Sequence, residues 1–188
     1  MRAWIAAIFI VALVGSMVVF RLVNELKPPL PVLGQVPSFQ FTDSSGDVWH
    51  SSHLDGKVWV VDFFFTSCAG PCPAMSKNMS LIHETFKSDP RVAQLSVSVH
   101  PEFDTPDILA QYAKKFKANT EIWQFVTGPE EDVLQLSVGG FKIGDPESVI
   151  NHSQRFVLVD GQGAIRGYYN GTDDQDIARL ISDLPRLL

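Results

Sequence analysis

The chain has 188 residues, with 15 Lys+Arg against 21 Asp+Glu and a formal net charge of −6. At 45% hydrophobic and 11% aromatic it can bury a real core, so wholesale disorder is excluded, and its length suits one domain of ordinary size. The acidic balance excludes a general nucleic-acid binder, and two cysteines are too few for a disulfide scaffold or a four-sulfur zinc site.

Residues 3–20 carry no charge, and only Gly15 and Ser16 interrupt the apolar run. As a helix this stretch spans roughly 27 Å, close to a hydrocarbon core of about 30 Å. Arg2 precedes it, Trp4 stands where an interfacial aromatic would, and Arg21 closes it. The pattern predicts an uncleaved transmembrane anchor over residues 1–23. A cleaved signal peptide is the rival reading, but no clean cleavage site follows and no cysteine is placed to carry a lipid. A two-residue head stays most simply in the cytoplasm, which exports everything after Arg21 to a compartment where disulfides persist. Residues 24–33 contain Lys27-Pro28-Pro29-Leu30-Pro31, a stiff extended spacer. The folded domain is expected over residues 34–188.

Within it, strand and helix signals alternate. Residues 39–41 and 48–49 flank the polar turn 44–47 and predict a hairpin. Residues 58–65 are almost wholly apolar, as a central strand buried on both faces requires. Over residues 73–86, Met75, Met79, Ile82 and Phe86 recur at helical spacing behind a first-turn proline. A second buried strand is expected over 92–99, then a helix over 105–116 capped by Thr105. A short strand at 123–126, a helix at 129–136, a hairpin from 156–159 and 165–169, and a closing helix at 174–184 complete the series. Residues 139–151, with Gly139, Gly140, Gly144 and Pro146, read as a long mobile connection. The order predicts an α/β domain, a central mixed sheet with helices on both faces.

The chemistry sits in Cys68-Ala-Gly-Pro-Cys72-Pro73, between the buried strand 58–65 and the helix that follows. Helix N–H groups and the helix dipole stabilise a thiolate at the helix start, so the Cys72 pKa is expected to be lowered. A thiolate is both the nucleophile of disulfide exchange and a soft ligand for copper. A structural staple is the bland alternative. A loop this short gains only about 2 kcal/mol from cross-linking, against about 4.7 for a 100-residue loop, so redox or metal work is the better reason for the pair.

Three motifs then carry a resemblance. Phe63-Phe-Phe-Thr-Ser-Cys68-Ala-Gly-Pro-Cys72-Pro73 is similar to the F-x-F-T-x-C-x-x-x-C-P signature of the Sco/SenC family. Ser96-Val-Ser-Val-His100-Pro101-Glu-Phe-Asp104-Thr105-Pro106 resembles its S-V-D-P-x-x-D-T stretch, with His100 at the first Asp. Ile150-Asn-His152-Ser153 resembles its D-H-S/T segment, with Asn151 at the Asp. The resemblance runs from about Gly34 to the C-terminus. It implies a membrane-anchored, thioredoxin-like fold with Cys68, Cys72 and His152 as copper ligands. It further implies copper delivery to the binuclear copper site of cytochrome c oxidase and thiol–disulfide exchange on that site's cysteines. The expected partner is therefore that copper-site subunit or another copper or thiol protein, met by a single-pass protein of the bacterial cytoplasmic membrane whose domain faces the periplasm or exterior.

Other candidates weigh less. His50 and His53 lie in a polar turn without a thiol or carboxylate. Met75 and Met79 fit the core face of their helix, and His83 is expected on that helix's surface. Asp173, Asp174 and Asp176 suit a helix N-terminus. Two function classes remain open. One is a metallochaperone without turnover; the other is an exported thiol–disulfide oxidoreductase in which Cys68 and Cys72 form the redox pair.

Overall fold

The computed structural model describes residues 9–10, 12–17, 28–144, 146 and 153–188. Two compact units are present, Met1–Leu30 and Pro31–Leu188. In the first, residues 9–10 and 12–17 are helical. No described helix is long and apolar enough to cross a membrane. Most of the segment expected to form the anchor lies outside the described residues.

The second unit is built on one eight-stranded sheet. Its strands are β1 (Gly34–Gln35), β2 (Gln40–Asp43), β3 (Val48–His50), β4 (Val58–Phe64), β5 (Val92–Ser98), β6 (Trp123–Thr127), β7 (Arg155–Val159) and β8 (Ala164–Asn170). The order across the sheet is β1-β8-β7-β4-β5-β6-β2-β3. Among the described residues, β4–β5 and β5–β6 pair in parallel and the other pairings are antiparallel. A parallel neighbour needs a crossover. Helix α1 (Cys72–Phe86) supplies it between β4 and β5, and α2 (Pro106–Lys115) between β5 and β6. Helices α3 (Glu130–Gln135) and α4 (Asp174–Asp183) follow β6 and β8.

All seven residues of β4 and all seven of β5 are buried, and β5 carries the polar Gln94, Ser96 and Ser98 on one of its faces. Alternation divides them between two cores. Trp59, Val61 and Phe63 join Leu95, Val97 and Val99 under Val133, Leu136, Phe141 and Ile143. On the opposite face Phe64 meets Tyr112 of α2 and Phe125 of β6, while Gln94 donates to the Met79 carbonyl of α1.

Four expectations need correction. His83 is buried rather than superficial: its Nδ1 pairs with Gln94 Oε1 at 3.2 Å and its Nε2 accepts the Asn119 N–H at 3.3 Å. Thr105 precedes α2 but makes no capping bond, leaving Pro106 to set the helix entry. The stretch 139–144 is not a loose connection. Helix α3 runs on as a π-helical turn, Leu136–Gly140, and Phe141 beyond it is fully buried edge-on against Trp59 and Phe63. Gly140 serves close approach: a Cβ there would lie 3.0 Å from Leu136 and 3.1 Å from Pro37. The fourth concerns Cys72, and belongs to the site.

Candidate functional site

Strand β4 ends at Phe64, and the chain turns through residues 65–71 into α1. The turn is defined at both ends. The Cys68 N–H donates to the Phe65 carbonyl at 3.3 Å, and the Met75 N–H donates to the Pro71 carbonyl at 3.0 Å, opening the helix. Cys72 is the first helical residue and Pro73 the second, so the missing proline N–H falls where no helix bond would use it.

This geometry separates the two sulfurs by depth. Cys68 is half-buried, whereas Cys72 is fully buried, and no disulfide joins them. Burial alone would raise the Cys68 pKa. The Cys72 thiol and N–H and the Gly70 N–H, 3.4 Å away, donate to its sulfur and bring it below the ordinary thiol value. Cys72 goes the other way. Burial pushes it up to about 12 despite the Phe65 N–H, and the neighbouring Cys68 adds to the rise. A thiolate at Cys72 was the expectation from its place at the helix start. Desolvation outweighs the helix dipole there, and the more acidic thiol is Cys68.

Two buried carboxyl groups flank the turn. Asp62 of β4 accepts from Ser96 Oγ, which in turn accepts from Trp123 Nε1 at 2.8 Å. Burial raises the Asp62 pKa to about 7, and its charge contributes to the rise at Cys72. Asp104, fully buried, accepts the Thr66 N–H at 3.0 Å, the Thr66 hydroxyl, and the Ser98 hydroxyl at 2.6 Å. Sequence reading passed over Asp62, although one carboxylate inside an otherwise apolar strand is itself a signal. Asp104 was visible only as part of a motif, without a role.

His100 stacks on Phe103 with ring centroids 5.7 Å apart and meets Phe65 edge-on at 6.1 Å. Its Nδ1 is buried without a hydrogen-bond partner among the described residues. His152 lies outside the described residues; Ser153 after it is half-buried, followed by β7. Met75 and Met79 are core residues, each fully buried. His50 and His53 meet edge-on with ring centroids 6.4 Å apart. Asp173 caps α4 by accepting the Asp176 N–H at 2.9 Å. Among the described residues no group of three or more His, Cys, Asp or Glu is placed to hold a metal ion. The described donors are thus the two sulfurs, a soft pair suited to a soft metal or to disulfide chemistry.

Comparison with known proteins places this arrangement. A model of the SCO1/SenC family matches residues 33–188. A SCO1/SenC family lipoprotein from Bacillus anthracis str. Ames is similar in structure with a TM-score of 0.76 and 32% identity, over 84% of this chain and 96% of that one. BsSco, described with a disulfide switch and as a member of the Sco family of cytochrome c oxidase assembly proteins, gives a TM-score of 0.72 and 30% identity over 86% and 96%. ScoI of Bradyrhizobium japonicum, solved with copper bound, shares the fold at a TM-score of 0.67 and 22% identity, over 82% of this chain and all of its own.

Proposed function

Because the chain belongs to the SCO1/SenC family, we propose that it is a copper carrier that delivers its metal to the binuclear copper site of cytochrome c oxidase and exchanges disulfides with that site's cysteines. Copper is its cargo. Cys68, Cys72 and His152 hold it, the two sulfurs supplying soft donors and the imidazole the third. The observation that carries this reading is the sulfur pair itself. Cys72 donates to Cys68, and the outer thiol is the more acidic of the two. The likeness to BsSco and to a copper-bound ScoI supports the assignment. The uncharged run at residues 3–20 supports a single-pass anchor at residues 1–23, a spacer at 24–33, and a domain held outside the cytoplasmic membrane.

Each sulfur has a distinct task. Cys68, half-buried and the more acidic, meets the incoming metal or the partner's disulfide first. Cys72 gives up its proton only when a second bond to its sulfur is available, either to copper or to Cys68. Copper and the Cys68–Cys72 disulfide therefore exclude one another, since each needs both sulfurs.

His152→Ala separates a carrier from a dedicated oxidoreductase. The reduced full chain is titrated with Cu(I) against a competing chelator, for wild type and variant, and the dithiol–disulfide equilibrium of each is measured alongside. Copper affinity is expected to fall by at least about tenfold while that equilibrium moves less than about twofold. Unchanged affinity in the variant removes His152 from the site. Failure of the wild type to bind copper leaves the oxidoreductase as the function.

A further inference from the structure

The buried Asp104 has three donors, and their positions point to a role in the redox chemistry of the cysteine pair. Thr66 offers both its N–H, at 3.0 Å, and its hydroxyl; Ser98 offers its hydroxyl at 2.6 Å. Thr66 stands two residues before Cys68, whereas Ser98 ends β5, the rigid strand beside β4. Ser98 Oγ also accepts the His100 N–H at 3.1 Å, which fixes the hydroxyl's direction. A buried carboxyl without a partner is strongly destabilising, so it persists only where its bonds are made. Both of its oxygens are used: Oδ1 takes the Thr66 hydroxyl, and Oδ2 takes the other two donors. An amide has one acceptor oxygen and cannot receive the same three bonds without rearrangement.

We propose that Asp104 is a positioning residue for the Cys68–Cys72 couple, clamping the incoming end of the cysteine turn to β5 and so stabilising the disulfide relative to the dithiol. The far end of the turn is already fixed by α1. With both ends held, the two sulfurs rest in hydrogen-bond contact before any bond forms. Releasing the near end lets Cys68 wander, which lowers its effective concentration at Cys72. The inference deepens the thiol-exchange part of the proposed function and does not depend on copper delivery.

The test is the exchange equilibrium of the full chain with dithiothreitol. The Cys68 thiolate attacks one sulfur of oxidised dithiothreitol and opens its ring. The Cys72 thiolate then attacks Cys68 in the mixed disulfide and releases reduced dithiothreitol. Two electrons pass to dithiothreitol, and the two cysteine protons end on its thiols. For Asp104→Ala the equilibrium constant for disulfide formation is expected to fall about tenfold, a rise in potential of about 30 mV for this two-electron couple. Thr66→Val, which removes the hydroxyl and keeps the N–H, should give a smaller fall in the same direction. It also serves if Asp104→Ala does not fold. Hydrogen exchange at the amides of residues 66–70 should accelerate in both variants. A folded Asp104→Ala chain, or Thr66→Val where that chain does not fold, with an equilibrium within about twofold of wild type overturns the proposal. Failure of the wild type to bind copper, with this equilibrium shift intact, would instead count against the carrier reading alone.

Discussion

Asp62 is the residue whose chemistry is least expected from its surroundings. It sits in a strand of Val, Trp and Phe, and burial holds its pKa at about 7 against an ordinary 3.8. Between those two values the native state keeps a proton that the unfolded chain has lost. The raised pKa therefore adds relative stability at low pH, and that contribution is lost as pH rises from about 4 through about 7. Above about 7 the native state carries a buried charge that, among the described residues, has Ser96 as its side-chain donor. Asp62→Asn keeps an acceptor for Ser96 and removes the charge. It should stabilise the protein by on the order of 2 kcal/mol at pH 8 and by little at pH 4, measured by denaturant unfolding at the two values. Equal effects at both pH values would mean that the carboxyl does not titrate across this window. Desolvation likewise raises the Cys72 pKa, which its helix position was expected to lower, and leaves Cys68 the more acidic thiol. Helix position is legible in a sequence, but depth beneath a turn is not, because depth depends on what packs above it.

Helix α1 shows how far periodicity reaches. The spacing of Met75, Met79 and Ile82 identified the buried stripe, and all three are fully buried. The stripe is rotated slightly toward His83, four residues after Met79 and therefore on the same face, while Phe86 is half-buried. The histidine fits because it is fully partnered as a neutral ring, bridging Gln94 of β5 and the backbone of Asn119. Burial lowers its pKa from 6.5. The native state then binds fewer protons than the unfolded chain, so this contribution is present above 6.5 and is lost as pH falls toward the native value. It opposes Asp62, which gains in the same direction. His83→Gln should remove this group's downward contribution to stability between pH 7 and pH 5, leaving a steeper gain as pH falls, and lower stability at pH 7 by about 1 kcal/mol, read from unfolding curves across that range. An unchanged slope would show that His83 is not the titrating group. Helix α3 is the contrary case. Its continuation through Gly139, Gly140 and Gly144 looked mobile because glycine permits motion. At Gly140 glycine permits contact instead, and the buried Phe141 anchors the start of the segment that leads to His152.

Across the whole molecule the sheet brings together what the chain keeps apart. Parallel β4 and β5 end side by side, so the turn holding Cys68 and the loop holding Asp104 meet across 38 residues of sequence. Strand β1, two residues long, pairs with β8 through Gly34↔Ile165 and Gln35↔Ala164. Nothing in so short a segment announces a strand, since its register is set by β8 alone. The apolar strands and the cysteine spacing were legible because local chemistry decides them. Strand order and the clamp at Asp104 were not, because distant partners decide them. The central claim is that one pair of sulfurs either carries copper or closes on itself. Titrating the full chain with Cu(I), first reduced and then after oxidation to the Cys68–Cys72 disulfide, tests it most directly. The account predicts one copper per reduced chain and loss of that binding on oxidation, restored by reduction. Stoichiometric copper binding of equal affinity in both states, or none in the reduced state, would contradict it.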